Sequence, residues 1–232
     1  MRIVRLLGNP VSASPSPRMH NAAFAAVGLD WQYEALELEP HELEAAVRGL
    51  DAGANVTIPY KVDVMGLLDE VDPDAVSVNT IVRREDGRLY GSSTDGIAVT
   101  SAVEPRGARA LVLGGGGAAM AVVDALRRAG AEVRVASRQT DWPPEARDAT
   151  LIVNATPVKD DALVEPEASM AVVDLAYNAD GSDTALVAAA RRAGCATVVD
   201  GLEVLVRQGA ASFERWTGFA APVEVMRAAV RA

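Results

Sequence analysis

The sequence predicts an α/β protein in which short apolar strands alternate with helices. In the C-terminal half, four short apolar runs, at residues 110–113, 151–154, 171–175 and 196–199, and a further strand at 132–136 are separated by helical segments or loops. Continuous apolar runs of this length are typical of parallel strands that are covered on both faces of the sheet. The N-terminal half alternates in the same way, and 232 residues suffice for one large or two small domains.

A glycine-rich turn between a strand and an amphipathic helix is the most informative stretch. Gly114-x-Gly116-x-x-Ala119 fits the dinucleotide fingerprint: Gly114 permits a tight turn, and Gly116 lets the backbone approach a pyrophosphate. The start of the helix offers N–H groups and the positive end of its dipole to the phosphates. Residues 132–136 complete a βαβ unit, which predicts a Rossmann-like dinucleotide-binding domain; the alternative is a flexible structural loop. The residues expected to bind the cofactor here are Gly114, Gly115, Gly116, Gly117 and Ala118.

The residues after the second strand of this unit bear on the choice of cofactor. Proteins that select NAD commonly carry Asp or Glu about 20 residues after the glycine turn, and residues 135–139 contain neither. Ser137 and Arg138 stand there instead, and a guanidinium can pair with the 2′-phosphate of NADP. Because Asp141 adds a nearby negative charge, we expect only a moderate preference for NADP. The alternative is that Arg138 is a solvated surface charge.

Composition excludes several classes of function. A net charge of −10 without a run of Lys or Arg argues against nucleic-acid binding, and no stretch is long enough to span a membrane. Two histidines and one cysteine cannot form a zinc-type cluster, so we expect no metal site. The single Cys195 and the absence of a signal-peptide pattern at the N-terminus predict a cytoplasmic protein.

The N-terminal half places several polar residues at strand ends. Ser16-Pro17 is a good helix start, with the serine as a possible N-cap. Thr57 and Lys61 follow a strand at residues 54–58, and a helix is expected from Lys61 to about residue 68. Ligands of open α/β sheets bind at the carboxyl ends of strands. A solvated surface lysine is the plainer alternative.

Two further strands, at residues 76–82 and 88–90, are expected to form a hairpin at Asp86-Gly87. Residues 92–95 are then expected to cap a helix that runs towards residue 104. Asp95 could be no more than a cap carboxylate.

Several dispersed motifs, in this order, resemble the shikimate dehydrogenase family over nearly the whole chain. They are Gly8-Asn-Pro-Val-Ser-Ala-Ser-Pro-Ser-Pro17 with His20-Asn21, Asn55-Val-Thr-Ile-Pro-Tyr-Lys61, Val78-Asn-Thr-Ile81, Gly91-Ser-Ser-Thr-Asp95, Val153-Asn-Ala-Thr-Pro157, Asp174-Leu-Ala-Tyr177, Gly201-Leu-x-x-Leu-Val-x-Gln208 and Phe213-Glu-Arg-Trp-Thr-Gly218. The resemblance implies a catalytic pair, Lys61 and Asp95. The substrate-binding residues that it implies are Ser14, Ser16, Thr57, Asn79, Tyr177 and Gln208. Besides the glycine turn, the implied cofactor-binding residues are Ser137, Arg138, Asn154, Thr156 and Gly201.

The resemblance also implies an activity and a domain layout. The reaction is the reversible NADPH-dependent reduction of 3-dehydroshikimate to shikimate in chorismate and aromatic amino acid biosynthesis. Lys61 gives a proton to the carbonyl oxygen, and Asp95 holds the lysine and a substrate hydroxyl. We expect a substrate domain at residues 1–104, with a terminal helix at 219–232 packing back on it. An NADP-binding domain is expected at residues 105–218, with a cleft between the two.

Some positions depart from the family pattern, and these keep alternatives open. Ala13 and Ser93 replace the usual histidine and asparagine, and Glu203-Val204 stand where the family usually has Gly-Met. Val158-Lys-Asp160 replaces an apolar-Gly-Met segment, and the chain is short between residues 138 and 154. The alternatives are a paralogue that uses NAD with quinate or another hydroxy acid, and a catalytically weak cofactor-binding regulatory protein. The chain is expected to be a monomer or a homodimer.

Overall fold

The computed structural model describes all residues from 1 to 232, and these form two compact units. Unit 1 comprises Met1–Thr94 and Val206–Ala232, and unit 2 comprises Asp95–Leu205. Each unit contains one β-sheet of its own. The α/β fold class predicted from the sequence is confirmed.

Unit 1 is built on a six-stranded mixed sheet. Its strands are β1 (Arg2–Gly8), β2 (Trp31–Glu37), β3 (Gly53–Val56), β4 (Glu70–Val71), β5 (Thr80–Arg83) and β6 (Leu89–Ser92), in the order β2-β1-β3-β5-β6-β4. Strand β1 runs parallel to β2 and β3, whereas β5 is antiparallel to both β3 and β6. The helices among these strands are α1 (Ser16–Ala26) and α2 (Leu43–Arg48).

Unit 2 contains a fully parallel five-stranded sheet. Its elements are α3 (Asp95–Thr100), β7 (Arg109–Leu113), α4 (Gly117–Arg128), β8 (Glu132–Ala136), β9 (Leu151–Asn154), β10 (Ala171–Asp174), α5 (Ala185–Ala193) and β11 (Thr197–Val199), and the strand order is β11-β10-β9-β7-β8. Helix α6 (Gly201–Thr217) begins in unit 2 and continues into unit 1, where α7 (Val223–Arg231) follows. None of the helices is long and apolar enough to cross a membrane.

Alternate residues of the parallel strands fill two separate apolar clusters. Val112 and Val153 pack on one face with Val122 of α4, and Leu111 and Ile152 pack on the other face with residues of α5. Successive side chains of a strand point to opposite faces, so a sheet buried on both sides needs the continuous apolar runs seen in the sequence.

Three expected elements differ from those observed, and one observed strand was not expected. The segment after Lys61 forms only a 3-10 helix, Asp63–Leu67, because Gly66 in its middle disfavours a regular helix. The strand expected from residue 76 begins at Thr80, since the N–H of Val78 bonds to the carbonyl of Lys61 instead (2.8 Å). Helix α3 ends at Thr100, before the expected residue 104, and the short strand β4 was not expected.

The helix start at Ser16 also differs from the expected one. The N-cap position of α1 is Pro15, without a side-chain cap, and Ser16 is the first helical residue. The backbone N–H of Ser16 bonds to Oγ of Ser14 (3.3 Å), so Ser14 supplies a local acceptor. The interpretation of Ser16 as the N-cap is therefore wrong.

The two units divide at positions other than the expected boundaries after residue 104 and before residue 219. Helix α3 belongs to unit 2 because it packs closely on α4. The end of α6 belongs to unit 1, where the indole N–H of Trp216 donates to the carbonyl of Ile81 in β5 (2.9 Å). Helix α7 packs against α1, and Arg18 donates to the carbonyl of Val230 (3.0 Å).

A buried histidine lies in the aromatic core of unit 1. His20 is completely buried, stacked on Tyr33 with 4.5 Å between ring centroids, and it meets Trp216 edge-on at 5.2 Å. Neither ring nitrogen has a hydrogen-bond partner. Burial lowers the pKa of His20 from 6.5 to about 3, so the folded protein holds this ring neutral.

We expect this histidine to weaken the fold in acid. Between pH 6.5 and about 3 the unfolded chain binds a proton that folded His20 does not, so His20 lowers the free energy of unfolding by about 1.4 kcal/mol per pH unit on acidification. Denaturant unfolding at several pH values in this range should show a smaller loss of unfolding free energy per pH unit for His20→Gln than for the wild type. Matched variants at the exposed His41 should keep the wild-type slope. Equal slopes for His20→Gln and the wild type would contradict the assignment.

Candidate active site

The loops that follow two parallel strands of unit 1 meet at one edge of its sheet. Leu7 and Val56 are register partners at the ends of β1 and β3, and the N–H of Asn9 bonds to the carbonyl of Ile58 (2.9 Å). A Cβ on Gly8 would lie 2.3 Å from Cγ2 of Thr57. The serine-rich loop and the Thr57–Lys61 segment thus lie side by side, so close at Gly8 that only glycine fits there.

The two serines of the first loop form a hydroxyl pair. Oγ of Ser14 donates to Oγ of Ser16 (3.1 Å). Ser16 is buried and Ser14 is half-buried. Hydroxyls donate to an anion without adding a competing charge, so a pair of this kind suits a carboxylate.

Lys61 ends the second segment, and its backbone is fixed on both sides. The carbonyl of Thr57 accepts from the N–H of Tyr60 (3.0 Å), and the carbonyl of Lys61 accepts from Val78 (2.8 Å). These bonds place Lys61 next to the chain that leads into Asn79. The Lys61 side chain is half-buried.

Asn79 has the most heavily used side chain at this edge. Its Oδ1 accepts from Oγ1 of Thr80 (2.9 Å) and from the N–H of Thr94 (2.8 Å). Its Nδ2 donates to Oγ1 of Thr94 (2.9 Å) and reaches Oε1 of Gln208 (3.4 Å). Asn79 is 2% exposed. The structure thus brings together Asn79 and Gln208, two of the predicted substrate residues, with a fixed amide orientation.

A second set of buried polar side chains supports Asn79, and sequence reasoning missed it. Asn55 accepts from the hydroxyl of Tyr33 (2.8 Å) and donates to Oγ of Ser212 (3.1 Å). Oγ of Ser212 lies 2.8 Å from Oγ1 of Thr80. The available signal was a polar residue inside an apolar strand, since buried amides are retained where they are hydrogen-bonded.

In unit 2, Asp95 is the first residue of α3 and only 7% exposed. The residue after it is a glycine for steric reasons. A Cβ on Gly96 would lie 2.5 Å from Cβ of Ala125 and 2.9 Å from the carbonyl oxygen of Ala121. Gly96 therefore lets α3 pack against α4, which fixes the position of Asp95.

The glycine turn has the properties that a pyrophosphate site needs. Gly114 has φ +123°, and a Cβ there would lie 2.9 Å from the carbonyl oxygen of Ala155. At Gly116 no heavy atom lies within 4 Å of the Cβ position, so the space beside the backbone is open. Helix α4 has neither a side-chain cap nor an acidic residue in its first turn. The first turn of α4 therefore adds no acidic side chain that would repel a phosphate.

The residues that follow β8 form a compact polar turn. Oγ of Ser137 lies 3.0 Å from Oγ1 of Thr140. The Arg138 side chain is exposed and takes part in no ion pair. Asp141 pairs with Arg134 (3.2 Å), which offsets the negative charge expected to oppose a 2′-phosphate.

Asn154 and Thr156 brace the loop after β9. Asn154 is completely buried; its Oδ1 accepts from both the N–H (3.0 Å) and the hydroxyl (2.7 Å) of Thr156. Its Nδ2 donates to Asp174 (2.8 Å) and to the carbonyl of Val158 (3.3 Å). These bonds use the hydrogen-bonding capacity of the amide within the protein. A direct contact of either side chain with a cofactor stays a prediction.

Asp174 is the hub of this arrangement, and sequence reasoning did not assign it a role. It is completely buried and accepts from Asn154, from the N–H of Ala176 (2.9 Å) and from Oγ1 of Thr184 (2.5 Å). Burial raises the pKa of its carboxyl group, and these hydrogen bonds oppose that rise. A carboxylate directly after an apolar strand, in register with Asn154, was the available signal.

The two remaining predicted residues of unit 2 lie near the loop after β10. The Tyr177 ring centroid is 6.0 Å from Nζ of Lys159. A Cβ on Gly201 would lie only 2.1 Å from the carbonyl oxygen of Ala176, so the start of α6 requires glycine. No group of three or more His, Cys, Asp or Glu side chains is placed to hold a metal ion.

We expect Asp174→Ala to lower the free energy of unfolding by at least about 2 kcal/mol, because it leaves buried donors unsatisfied. Thermal or denaturant unfolding measures this, with the exposed Asp160→Ala as the matched control that should change little. A neutral effect of Asp174→Ala would show that the hub does not hold the loop.

Three family descriptions match successive parts of this chain. They are the shikimate dehydrogenase substrate binding domain at residues 6–81, a putative NAD(P)-binding domain at 101–203, and the shikimate 5′-dehydrogenase C-terminal domain at 201–231.

Individual proteins match over nearly the full length. A shikimate dehydrogenase (NADP(+)) from Rubrobacter xylanophilus is 42% identical, covering 98% of this chain and 95% of its own. The enzyme of the same name from Methanopyrus kandleri is 40% identical, covering 98% and 94%. The crystal structure of shikimate 5-dehydrogenase from Thermus thermophilus in complex with NADP(H) and shikimate superposes with a TM-score of 0.87 at 34% identity, covering 100% and 99%. The family predicted from the motifs is thus confirmed: this chain belongs to the shikimate dehydrogenase family.

Proposed function

We propose that this chain catalyses the reversible NADP-dependent reduction of 3-dehydroshikimate to shikimate, a step towards chorismate and the aromatic amino acids. The observation that carries the proposal is the meeting of the paired serines and the Thr57–Lys61 segment at one sheet edge. Family membership supplies the reaction, and these residues supply the groups that it needs.

The substrate carboxylate is assigned to Ser14 and Ser16. Their hydroxyls already lie 3.1 Å apart, so both can turn towards one anionic group. Thr57, Asn79 and Gln208 are assigned to the substrate hydroxyls, and Tyr177 of unit 2 to the same ligand. Oδ1 of Asn79 is occupied within the protein and Nδ2 already donates to Thr94, so a ligand oxygen would take the N–H that now reaches Gln208 (3.4 Å).

Proton transfer to and from the substrate oxygen is assigned to Lys61. As the carbonyl oxygen of the substrate becomes an alkoxide, the ammonium group donates to it, and in the reverse direction the amine accepts the proton. Asp95 holds the ammonium group and a substrate hydroxyl in place. The packing that Gly96 permits keeps the Asp95 carboxylate at a fixed point of α3.

The residues of unit 2 fit an NADP molecule. Gly114–Ala118 and the uncapped start of α4 suit the pyrophosphate, and Arg138 with Ser137 suits the 2′-phosphate. The loop braced by Asn154 and Thr156, together with Gly201, completes the assigned set. When bound, the nicotinamide supplies the hydride.

We also propose that the chain acts in the cytoplasm as a monomer or a homodimer. A single, half-buried cysteine supports the reducing compartment. The substrate is a small molecule, and the acidic chain offers no basic patch for nucleic acid.

Replacing Lys61 should remove most of the turnover. Loss of a positioned proton donor costs roughly 10²–10⁴-fold in rate, so kcat of Lys61→Ala should fall by this factor with little change in melting temperature. Lys61→Arg keeps the positive charge but cannot release a proton, and it should be as inactive as Lys61→Ala. Steady-state kinetics with shikimate and NADP+ measures both variants. A kcat of Lys61→Arg close to the wild-type value would show that position 61 needs only a positive charge, and it would rule out proton transfer by Lys61.

Replacing Arg138 should affect one cofactor only. We expect Arg138→Ala to weaken NADP+ binding by more than about tenfold, through loss of the forked pairing with the 2′-phosphate, and to leave NAD+ nearly unchanged. Arg109→Ala is a matched control. Arg109 is exposed at the amino end of β7, whereas Arg138 follows the carboxyl end of the neighbouring strand β8. KM values for both cofactors decide the outcome, and equal losses for NADP+ and NAD+ would overturn the assignment.

A further inference from the structure

Unit 1 contains a cavity that the proposed reaction does not use. Its volume is about 240 Å³, room for about eight water molecules at ~30 Å³ each. The residues that line it are Asp72, Val82, Arg84, Tyr90, Ser92 and Arg215. None of them is among the predicted catalytic, substrate or cofactor residues. The cavity lies on the face of β5 and β6 that carries Val82 and its register partner Tyr90.

Arg215, near the end of α6, brings to this cavity a guanidinium that is only partly engaged with the protein. One nitrogen, Nη1, donates to Oγ of Ser92 (2.6 Å) and to the carbonyl of Ser93 (3.2 Å). Its other N–H groups have no partner, and no carboxylate lies within ion-pair distance. Burial lowers the pKa of Arg215, which indicates a partly desolvated guanidinium. Cations in such settings are normally paired.

The acidic and aromatic groups of the cavity are already engaged with one another. The Asp72 carboxylate accepts from the N–H of Asp74 (3.0 Å), and its charge favours a higher pKa of both Tyr90 and Arg215. Arg84 lies over the Tyr90 ring, 4.4 Å from its centroid, and pairs with Glu70 (2.7 Å). What remains for a ligand is the free side of the Arg215 guanidinium, beside the apolar surfaces of Val82 and Tyr90.

We propose that this cavity binds a small organic oxyanion, a carboxylate or a phosphate monoester with a compact apolar body. The unused edge of the guanidinium, formed by Nε–H and Nη2–H, matches the paired oxygens of such a group. The volume of about 240 Å³ admits a molecule of metabolite size. Bound there, the anion would lie beside Ser92 and Ser93, directly before Thr94, whose N–H holds Asn79.

The binding itself is the test, and it does not depend on the proposed dehydrogenase activity. Isothermal titration calorimetry of the full chain with benzoate and, separately, with phenyl phosphate distinguishes a carboxylate from a phosphate ligand. The serine pair and the 2′-phosphate site could bind the same probes, so the comparison between variants carries the assignment. Arg215→Gln should weaken binding of the preferred probe by about tenfold or more. The matched control Arg88→Gln, an exposed arginine outside the cavity, should leave binding unchanged.

A second variant covers the case in which Arg215→Gln fails to fold. Val82→Phe adds a ring to the cavity wall, retains Arg215, and should also weaken binding. Loss of binding in either folded variant, with Arg88→Gln unaffected, supports the site. Absence of binding of both probes to the wild type, or wild-type affinity in every folded variant, would overturn it.

Discussion

The side chain of Asn79 joins three segments of unit 1: its own segment at the start of β5, the segment that carries Thr94, and α6. Its amide bonds to Thr80, to both polar groups of Thr94 and to Gln208 of α6, and Asn55 and Ser212 complete the network behind it. Because a buried polar group without a partner costs about 1–3 kcal/mol, the network is stable only when all its members are in place. The position of the predicted substrate residues thus follows from the satisfaction of buried hydrogen bonds.

In unit 2, a buried carboxylate joins separate segments by hydrogen bonds, as the Asn79 amide does in unit 1. Asp174 joins the ends of β9 and β10 through Asn154 and also receives the Thr184 hydroxyl at the start of α5. The loop after β9, which is expected to meet the cofactor, is therefore held by hydrogen bonds within the protein, and such preorganisation reduces the entropic cost of binding. In both units, glycines at strand ends, Gly8 and Gly114, allow the close approach that the hydrogen bonds require.

Much of this arrangement could be predicted from the sequence, because strands and motifs depend on local patterns. The βαβ unit around Gly114 is visible as an apolar run, a glycine turn and an amphipathic helix, and β8 has the predicted bounds. Long-range contacts are not visible in this way. Nothing local shows that Asn55 meets Ser212, 157 residues later, or that Asp141 is paired with Arg134. The 3-10 segment after Lys61 contains Gly66, which disfavours a regular helix, whereas the early end of α3 depends on packing, which overrides local helix preference.

The most direct test is an absorbance assay for reduced nicotinamide with the wild-type protein. Shikimate or quinate is the substrate, and each is combined with NADP+ or with NAD+. We predict that shikimate with NADP+ gives a higher kcat/KM than any other pair. Preferential reduction of NAD+, a preference for quinate, or no reduction in any combination would contradict it.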